Sequence, residues 1–97
     1  MSNINFSWDD NKNSSNIEKH KISFEEAKSV FFDENARLIS DPEHSEDEER
    51  FIILGMSELY NILLVAHCYR ENDEIIRIIS DRKATKNEKK QYWRLMK

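Results

Sequence analysis

Hydrophobic positions along this chain change their spacing part-way, from helical intervals to short continuous runs, and the change divides it into helices followed by a sheet. Phe24, Ala27, Val30 and Phe31 recur three and four residues apart, which marks one face of a helix and predicts a helix over about 24–32 with these side chains in the core. Ser23-Phe24-Glu25-Glu26 in front of it is a capping box, with Ile22 placed to staple against Ala27. Further on, 50–54, 62–69 and 75–80 are rich in isoleucine, leucine and valine at strand length, and 36–40 adds a weaker fourth. The links around Pro42, at 55–61 and at 71–74 are too short for crossover helices, so neighbouring strands are expected to run antiparallel.

The two ends complete the pattern. Ile4, Phe6 and Trp8 alternate with polar residues and form either an opening strand or an extended arm. From Asp9 to His20 the chain is polar, with acids first and Lys19-His20-Lys21 last, the order that a helix dipole favours, so a surface helix is expected. Thr85-Lys86-Asn87-Glu88 is a second capping box and opens a last helix over about 86–96. Tyr92, Leu95 and Met96 lie on one side of that helix, while Lys86, Lys90, Trp93 and Lys97 fall within a narrow arc on the other. The expected fold is α+β: N-terminal helices packed on an antiparallel sheet of about four strands, with a C-terminal helix. At 97 residues it should form one domain, 1–97.

Within the strand at 75–80 stands an arginine, Arg77, among four isoleucines. A guanidinium on a half-buried strand needs a partner or a ligand, so Arg77 is either ion-paired or functional. The strand also delivers Arg82-Lys83 at its exit, directly before the last helix.

Charge sharpens the picture. The net charge is −4, from 15 basic and 19 acidic side chains, which argues against indiscriminate attraction to nucleic acid. The segment 82–97 nevertheless carries seven basic residues against Glu88, a local +6, and leaves −10 for the rest. Six acids stand in 41–50 against Arg50. This polarity fits a protein that binds a polyanion locally and a basic partner elsewhere, and it fits a solvated charge pattern equally well. The single cysteine, Cys68, makes no internal disulfide, and the N-terminus lacks a signal-peptide core, so a reducing cytoplasm is the default expectation. No apolar stretch approaches the ~20 residues needed to span a bilayer.

One glycine and one cysteine exclude a glycine-rich phosphate loop and a cysteine-based zinc site. The spacing of His44 among the acids of 41–49 matches no calcium or zinc loop, and a solvated acidic loop is expected there, with no metal. Cys68 and His67 sit in an apolar run and read as a small hydrophobe and a satisfied sheet histidine. The remaining chemistry is carried by Lys19, His20, His44, Glu49, Arg50, Arg70, Arg77, Arg82 and Lys83. Cleavage of RNA without metal requires a base for the ribose 2′-hydroxyl, an acid for the leaving oxygen and cations for the phosphorane. This set can supply all three.

An ordered series of residues resembles the BrnT-type toxins: Trp8-Asp9, Asn16, Lys19-His20, Phe24-Glu25-Glu26-Ala27, Val30-Phe31, Asp33, His44-Ser45, Glu48-Glu49-Arg50-Phe51, Gly55, Arg77-Ile78-Ile79-Ser80, Arg82-Lys83-Ala84-Thr85, Glu88 and Tyr92. It covers nearly the whole chain. The resemblance implies a RelE-like fold and a ribonuclease toxin of a type II toxin-antitoxin pair, needing no cofactor and inhibiting translation in the cytoplasm. Its partner would be a BrnA-type antitoxin with a ribbon-helix-helix region, and operator DNA would be met only through the joint complex. The implied catalytic set is Lys19, His20, Glu49, Arg50, Arg70, Arg77 and Arg82. Lys83, with Lys86, Lys90 and Trp93, would contact RNA. By this resemblance Glu49 is the base, Arg77 and Arg82 hold the phosphate, Arg70 and Lys19 stabilise developing charge, and His20 or His44 is the acid.

Three departures stand out: Lys21 where many members have glycine, Asp81 where they have a small residue, and Ile75 in place of a charge. Asp81 beside Arg82 is expected to neutralise that arginine. Strict alternation would also send Arg77 and Arg82, and likewise Glu49 and Arg50, to opposite faces, leaving some of them to the scaffold and making a Glu49 to Arg50 ion pair an alternative. The competing functional reading is a non-catalytic nucleic-acid or protein-binding module within an autoregulatory operon complex.

Overall fold

The computed structural model describes residues 4–40 and 49–94. In chain order these form β1 (Asn5–Ser7), α1 (Asp10–His20), α2 (Phe24–Val30), β2 (Arg37–Ser40), β3 (Phe51–Met56), β4 (Ile62–Arg70), β5 (Ile75–Lys83) and α3 (Lys86–Arg94). Leu95, Met96, Lys97 and His44 lie outside the described residues.

One sheet holds all five strands in the order β1-β5-β4-β3-β2. From β2 to β5 every pair is antiparallel, as the short links require. β1 adds a fifth strand and lies parallel to the start of β5, with Phe6 opposite Ile76. No hairpin joins these two, so nothing in the connection imposes an antiparallel direction. β5 also runs three residues beyond the apolar stretch, because Asp81, Arg82 and Lys83 continue the ladder opposite Val65, Leu64 and Leu63.

Local chemistry sets the helix ends. Asp9 caps α1 by accepting from the N–H groups of Asn11 at 2.8 Å and Lys12 at 3.1 Å. The helix stops at Lys21, whose φ of 64° is left-handed and whose N–H returns to the Ile17 carbonyl at 2.8 Å. Glycine suits such a position best. In α2, Ser23 Oγ accepts from Glu26 N–H at 3.0 Å. This helix ends at Val30, and Phe32 just beyond it is exposed.

Helices occupy both sides of the sheet. On the first face Ile22, Phe24, Ala27 and Val30 meet Ile53, Leu63, Val65 and Ile78 in the main core, with Phe6, Trp8, Phe31 and Ala36 around them. Gly55 lies where α2 comes closest, and a Cβ there would stand 2.9 Å from Val30 Cγ1 and from Ala36 Cβ. The second face has a smaller core in which Tyr92 of α3 packs with Leu54, Ile62, Leu64 and Ala84. Tyr92 Oη donates to Asp33 Oδ2 at 2.7 Å, and the same oxygen accepts from Met56 N–H at 2.8 Å. Burial, reinforced by Asp33, pushes the Tyr92 hydroxyl up to about 12. No helix among the described residues is long and apolar enough to cross a membrane.

Candidate active site

The pairing of β4 with β5 decides which charged side chains share a surface. Cys68 stands opposite Arg77 and His67 opposite Ile78, but the next pair is Ala66 with Ser80, which leaves Ile79 as an extra residue. This is a β-bulge, and it shifts the alternation of the strand beyond it by one. Opposite residues in an antiparallel pair project to the same face. Arg77 therefore follows Cys68, and Arg82 follows Leu64, onto the second face. Uninterrupted alternation would have parted the two arginines; the bulge puts them on one face, opposite β4 residues four positions apart. Arg70, opposite Ile75, projects to the same side.

α3 covers one end of this face through Tyr92. There a recess of about 180 Å³ is lined by Ile52, Leu64, Ala66, Ser80, Asp81 and Arg82, with His20 at its rim. His20 arrives from the last turn of α1. Lys19 is its neighbour along a second groove with Ile79 and Ser80.

Arg82 is already engaged. Its Nη1 and Nη2 donate to Glu88 Oε1 and Oε2 at 2.9 and 3.0 Å, and Nη1 also donates to the Lys83 carbonyl at 3.2 Å. Glu88 is at the same time half of the capping box, accepting from Thr85 N–H at 2.7 Å while Thr85 Oγ1 accepts from Glu88 N–H at 3.2 Å. The guanidinium holds the Glu88 carboxyl down to about 2, and the carboxylate in turn raises Arg82. The expectation that Asp81 neutralises Arg82 is thus corrected: the neutralising group is Glu88. Asp81 stands opposite Val65 and projects to the first face, where it is 2 % exposed. Burial, with Glu26 adding to it against the hydrogen bond from Asn16, pushes the Asp81 carboxyl up to about 7. Its Oδ2 has no hydrogen-bond partner.

Arg77 differs from Arg82. It is half-buried, and among the described residues it makes no side-chain hydrogen bond or ion pair. A half-buried cation with no ion-pair partner among the described residues is suited to an anion.

Other candidates lie elsewhere. Glu49 lines a different recess, of about 480 Å³, with Leu38, Phe51, Cys68, Tyr69 and Asp73; Leu38 and Phe51 pair with Ile53 and His67 on the first face, whereas Cys68, opposite Arg77, belongs to the second. Arg50 is half-buried one residue along, and no ion pair joins it to Glu49 among the described residues. Continued alternation from Phe51 puts Arg50 on the arginine side. Lys83, opposite Leu63, turns to the first face and is exposed. Lys86 and Trp93 are exposed on α3, and Lys90 lines a separate groove with Arg37, Asn87, Gln91 and Arg94. His67 is fully buried, bonded to the Val65 carbonyl at 3.1 Å and to Tyr69 Oη at 3.3 Å, with its ring edge-on to Phe31 at 4.7 Å. Burial lowers its pKa, and it is a core residue. No cluster of metal ligands occurs among the described residues.

Two residues with hydrogen bonds beside this face, Glu88 and Asn16, carry no chemical signature in the sequence. Glu88 is recognisable as a cap, but its hold on Arg82 crosses the strand-helix junction. Asn16 is one asparagine among several on a polar helix, yet Asn13, Asn16 and His20 share one side of α1, spaced three and four apart. Asn13 Oδ1 accepts from Phe24 N–H at 2.8 Å and Asn16 Nδ2 donates to the Ile22 carbonyl at 3.0 Å. Periodic polar residues can thus mark a packed face as surely as apolar ones.

A family model described as the ribonuclease toxin BrnT of type II toxin-antitoxin systems matches residues 8–88. Among solved structures, the 1.1 Å crystal structure of the ribonuclease toxin BrnT from Brucella abortus is similar, with a TM-score of 0.67 and 22% identity, covering 87% of this chain and 100% of that one. At that identity the likeness speaks for the fold. No curated protein sequence matches significantly.

Proposed function

The chain belongs to the BrnT family of ribonuclease toxins of type II toxin-antitoxin systems, and from that premise we propose that its arginine-bearing sheet face cleaves RNA internally, without a metal ion, until an antitoxin covers it. The observation that carries this reading is the bulge that turns Arg77 and Arg82 to one side, with His20 at the rim of the same recess.

In this proposal Arg77 meets the scissile phosphate and stabilises the charge of the phosphorane, which is the largest contribution that a metal-free site can make. Arg82, held by Glu88, flanks it. Arg70 and Lys19 add positive potential at the margins. His20 is the imidazole bordering the recess among the described residues, and proton transfer at the ribose hydroxyl or the leaving oxygen is assigned to it. For Glu49 to act as the base, the substrate would have to bridge two recesses. Lys83, Lys86, Lys90 and Trp93 would guide the flanking RNA, and Trp93 offers a ring for base stacking. Translation inhibition would follow from loss of message, and the antitoxin would be a ribbon-helix-helix protein whose complex with this chain represses their operon.

The test is incubation of the purified protein with a defined RNA, with and without chelator. Internal cuts that persist in chelator are expected, and Arg77→Ala should lower kcat by about 100-fold. Arrest of cell growth that persists in an Arg77→Ala, Arg82→Ala double variant would refute the assigned face. The second reading, binding without cleavage, has one observation in its favour: Arg82 is already neutralised by Glu88. RNA retained with steep salt dependence and never shortened would support it.

A further inference from the structure

A buried polar pair joins α1 to β5 and borders the recess without entering the chemistry assigned above. Asn16 is 6 % exposed and Asp81 2 % exposed. Asn16 Oδ1 accepts from Asp81 N–H at 3.2 Å, and Asn16 Nδ2 donates both to Asp81 Oδ1 and to the Ile22 carbonyl. β1 pairs with β5 only as far as Arg77, so at Asp81 the carboxamide of Asn16 satisfies an edge N–H that no strand reaches. The bulge at Ile79 lies two residues before Asp81, and His20 lies one helical turn after Asn16.

We propose that Asn16 and Asp81 are positioning residues that lock the β5 bulge and the last turn of α1 in one register, so that Arg77 and Arg82 face one bound RNA with His20 at the rim of the recess. This rests on the ribonuclease reading. The bulge determines that the two arginines share a face, and α1 determines where His20 stands; the buried pair is the direct polar link between them. Around Asp81, α2 contributes Glu26, α1 contributes Lys19 and His20 along the grooves that Asn16 and Asp81 line, β1 contributes no charge, and β4 places Val65 opposite. Arg82 and Lys83 follow on its own strand, with Arg82 turned to the other face. Among the described residues no cation is bonded to the Asp81 carboxyl. Ionisation therefore places a buried charge near Glu26 without compensation, and the lock should loosen as pH rises past about 7.

The test is steady-state cleavage of a fluorogenic RNA oligonucleotide by the full chain, from about pH 6 to about pH 8.5, for wild type, Asn16→Ala and Asp81→Asn. Asn16→Ala should lower kcat about tenfold or more while KM stays within about twofold, because geometry is lost and phosphate affinity is kept. The ratio of Asp81→Asn kcat to wild-type kcat should rise about threefold or more across the range, since asparagine cannot ionise. Wild-type kcat in a folded Asn16→Ala protein, a loss confined to KM, or a flat Asp81→Asn ratio would overturn the proposal. Should Asn16→Ala fail to fold, the Asp81→Asn ratio decides alone. A wild-type protein that never cuts RNA overturns the ribonuclease reading, whereas an active wild type with indifferent variants overturns the positioning role alone.

Discussion

Replacing Asp81 by asparagine removes one ionisation from the interior, and its effect on stability should depend on pH in a defined direction. In the folded chain the carboxyl titrates at about 7, against 3.8 for the unperturbed group. Between those values the folded state holds a proton that the unfolded state has released, so wild-type stability falls as pH rises, by about 1.4 kcal/mol per pH unit. The fall begins near pH 4 and is complete just above pH 7. Its ceiling is about 4 kcal/mol, reduced wherever water entry or strand adjustment relieves the buried charge. Asparagine keeps the acceptor that Asn16 Nδ2 uses and carries no charge, so the variant lacks this slope. At low pH it should be the less stable protein by about 1 to 3 kcal/mol, because its amide hydrogens replace an oxygen that has no partner. Urea unfolding of both proteins at about pH 5, 6, 7 and 8 yields the difference, in which the acid-side contributions of Glu88 and Asp33, both lowered in the fold, cancel. The variant should gain about 2 to 3 kcal/mol on wild type between pH 5 and pH 7, then level off. A difference that stays constant across this range would refute the claim that Asp81 is buried without a compensating cation.

The two arginines should separate by assay. Arg82→Ala should destabilise the fold by about 0.5 to 1 kcal/mol, since the ion pair with Glu88 is partly exposed, whereas Arg77→Ala should leave the melting temperature unchanged and act on cleavage alone. Calorimetry on both checks this. Lys21→Gly should stabilise by about 0.5 kcal/mol, because relief of a left-handed lysine outweighs the extra freedom of glycine in the unfolded chain; a lower melting temperature would contradict the strain assigned to φ 64°.

Local signals carried much of the fold. Ser23 and Thr85 announce their helices because capping is a matter of neighbours, and the stripe from Phe24 to Val30 reads as a core face because helical periodicity is local too. What was hidden is long-range. β1 pairs in parallel with β5 only after most of the chain has intervened, and the apolar run marks the strand only to Ser80 although Asp81-Arg82-Lys83 continues it. The bulge at Ile79 could not be read from five successive strand-like residues, because the contact nearest to it, Asn16 with Asp81, comes from sixty-odd positions earlier. The set of charged residues was therefore legible, but its division between the two faces was not. Glu49 was no easier to assign: the recess it lines draws on both faces, Leu38 and Phe51 from the first and Cys68, opposite Arg77, from the second.

Arg82 connects the recess to the closing helix, and the connection constrains how an anion can use it. Glu88 spends one carboxylate on two tasks, clamping the guanidinium and capping the Thr85 N–H. A phosphate that bonds to Arg82 must either share it with Glu88 or displace it. Displacement would release an acid held at about 2 and weaken the cap of α3, whose Tyr92 anchors the second core through Asp33. Sharing leaves the helix intact and requires the phosphate to approach from the side that Glu88 leaves open. Arg77 has no such competitor among the described residues, so it is the arginine that can meet the anion without cost to the fold. Under the proposed function the two guanidiniums would therefore have unequal duties: Arg77 would supply available charge, while Arg82, fixed by the start of α3, would define where that charge is used.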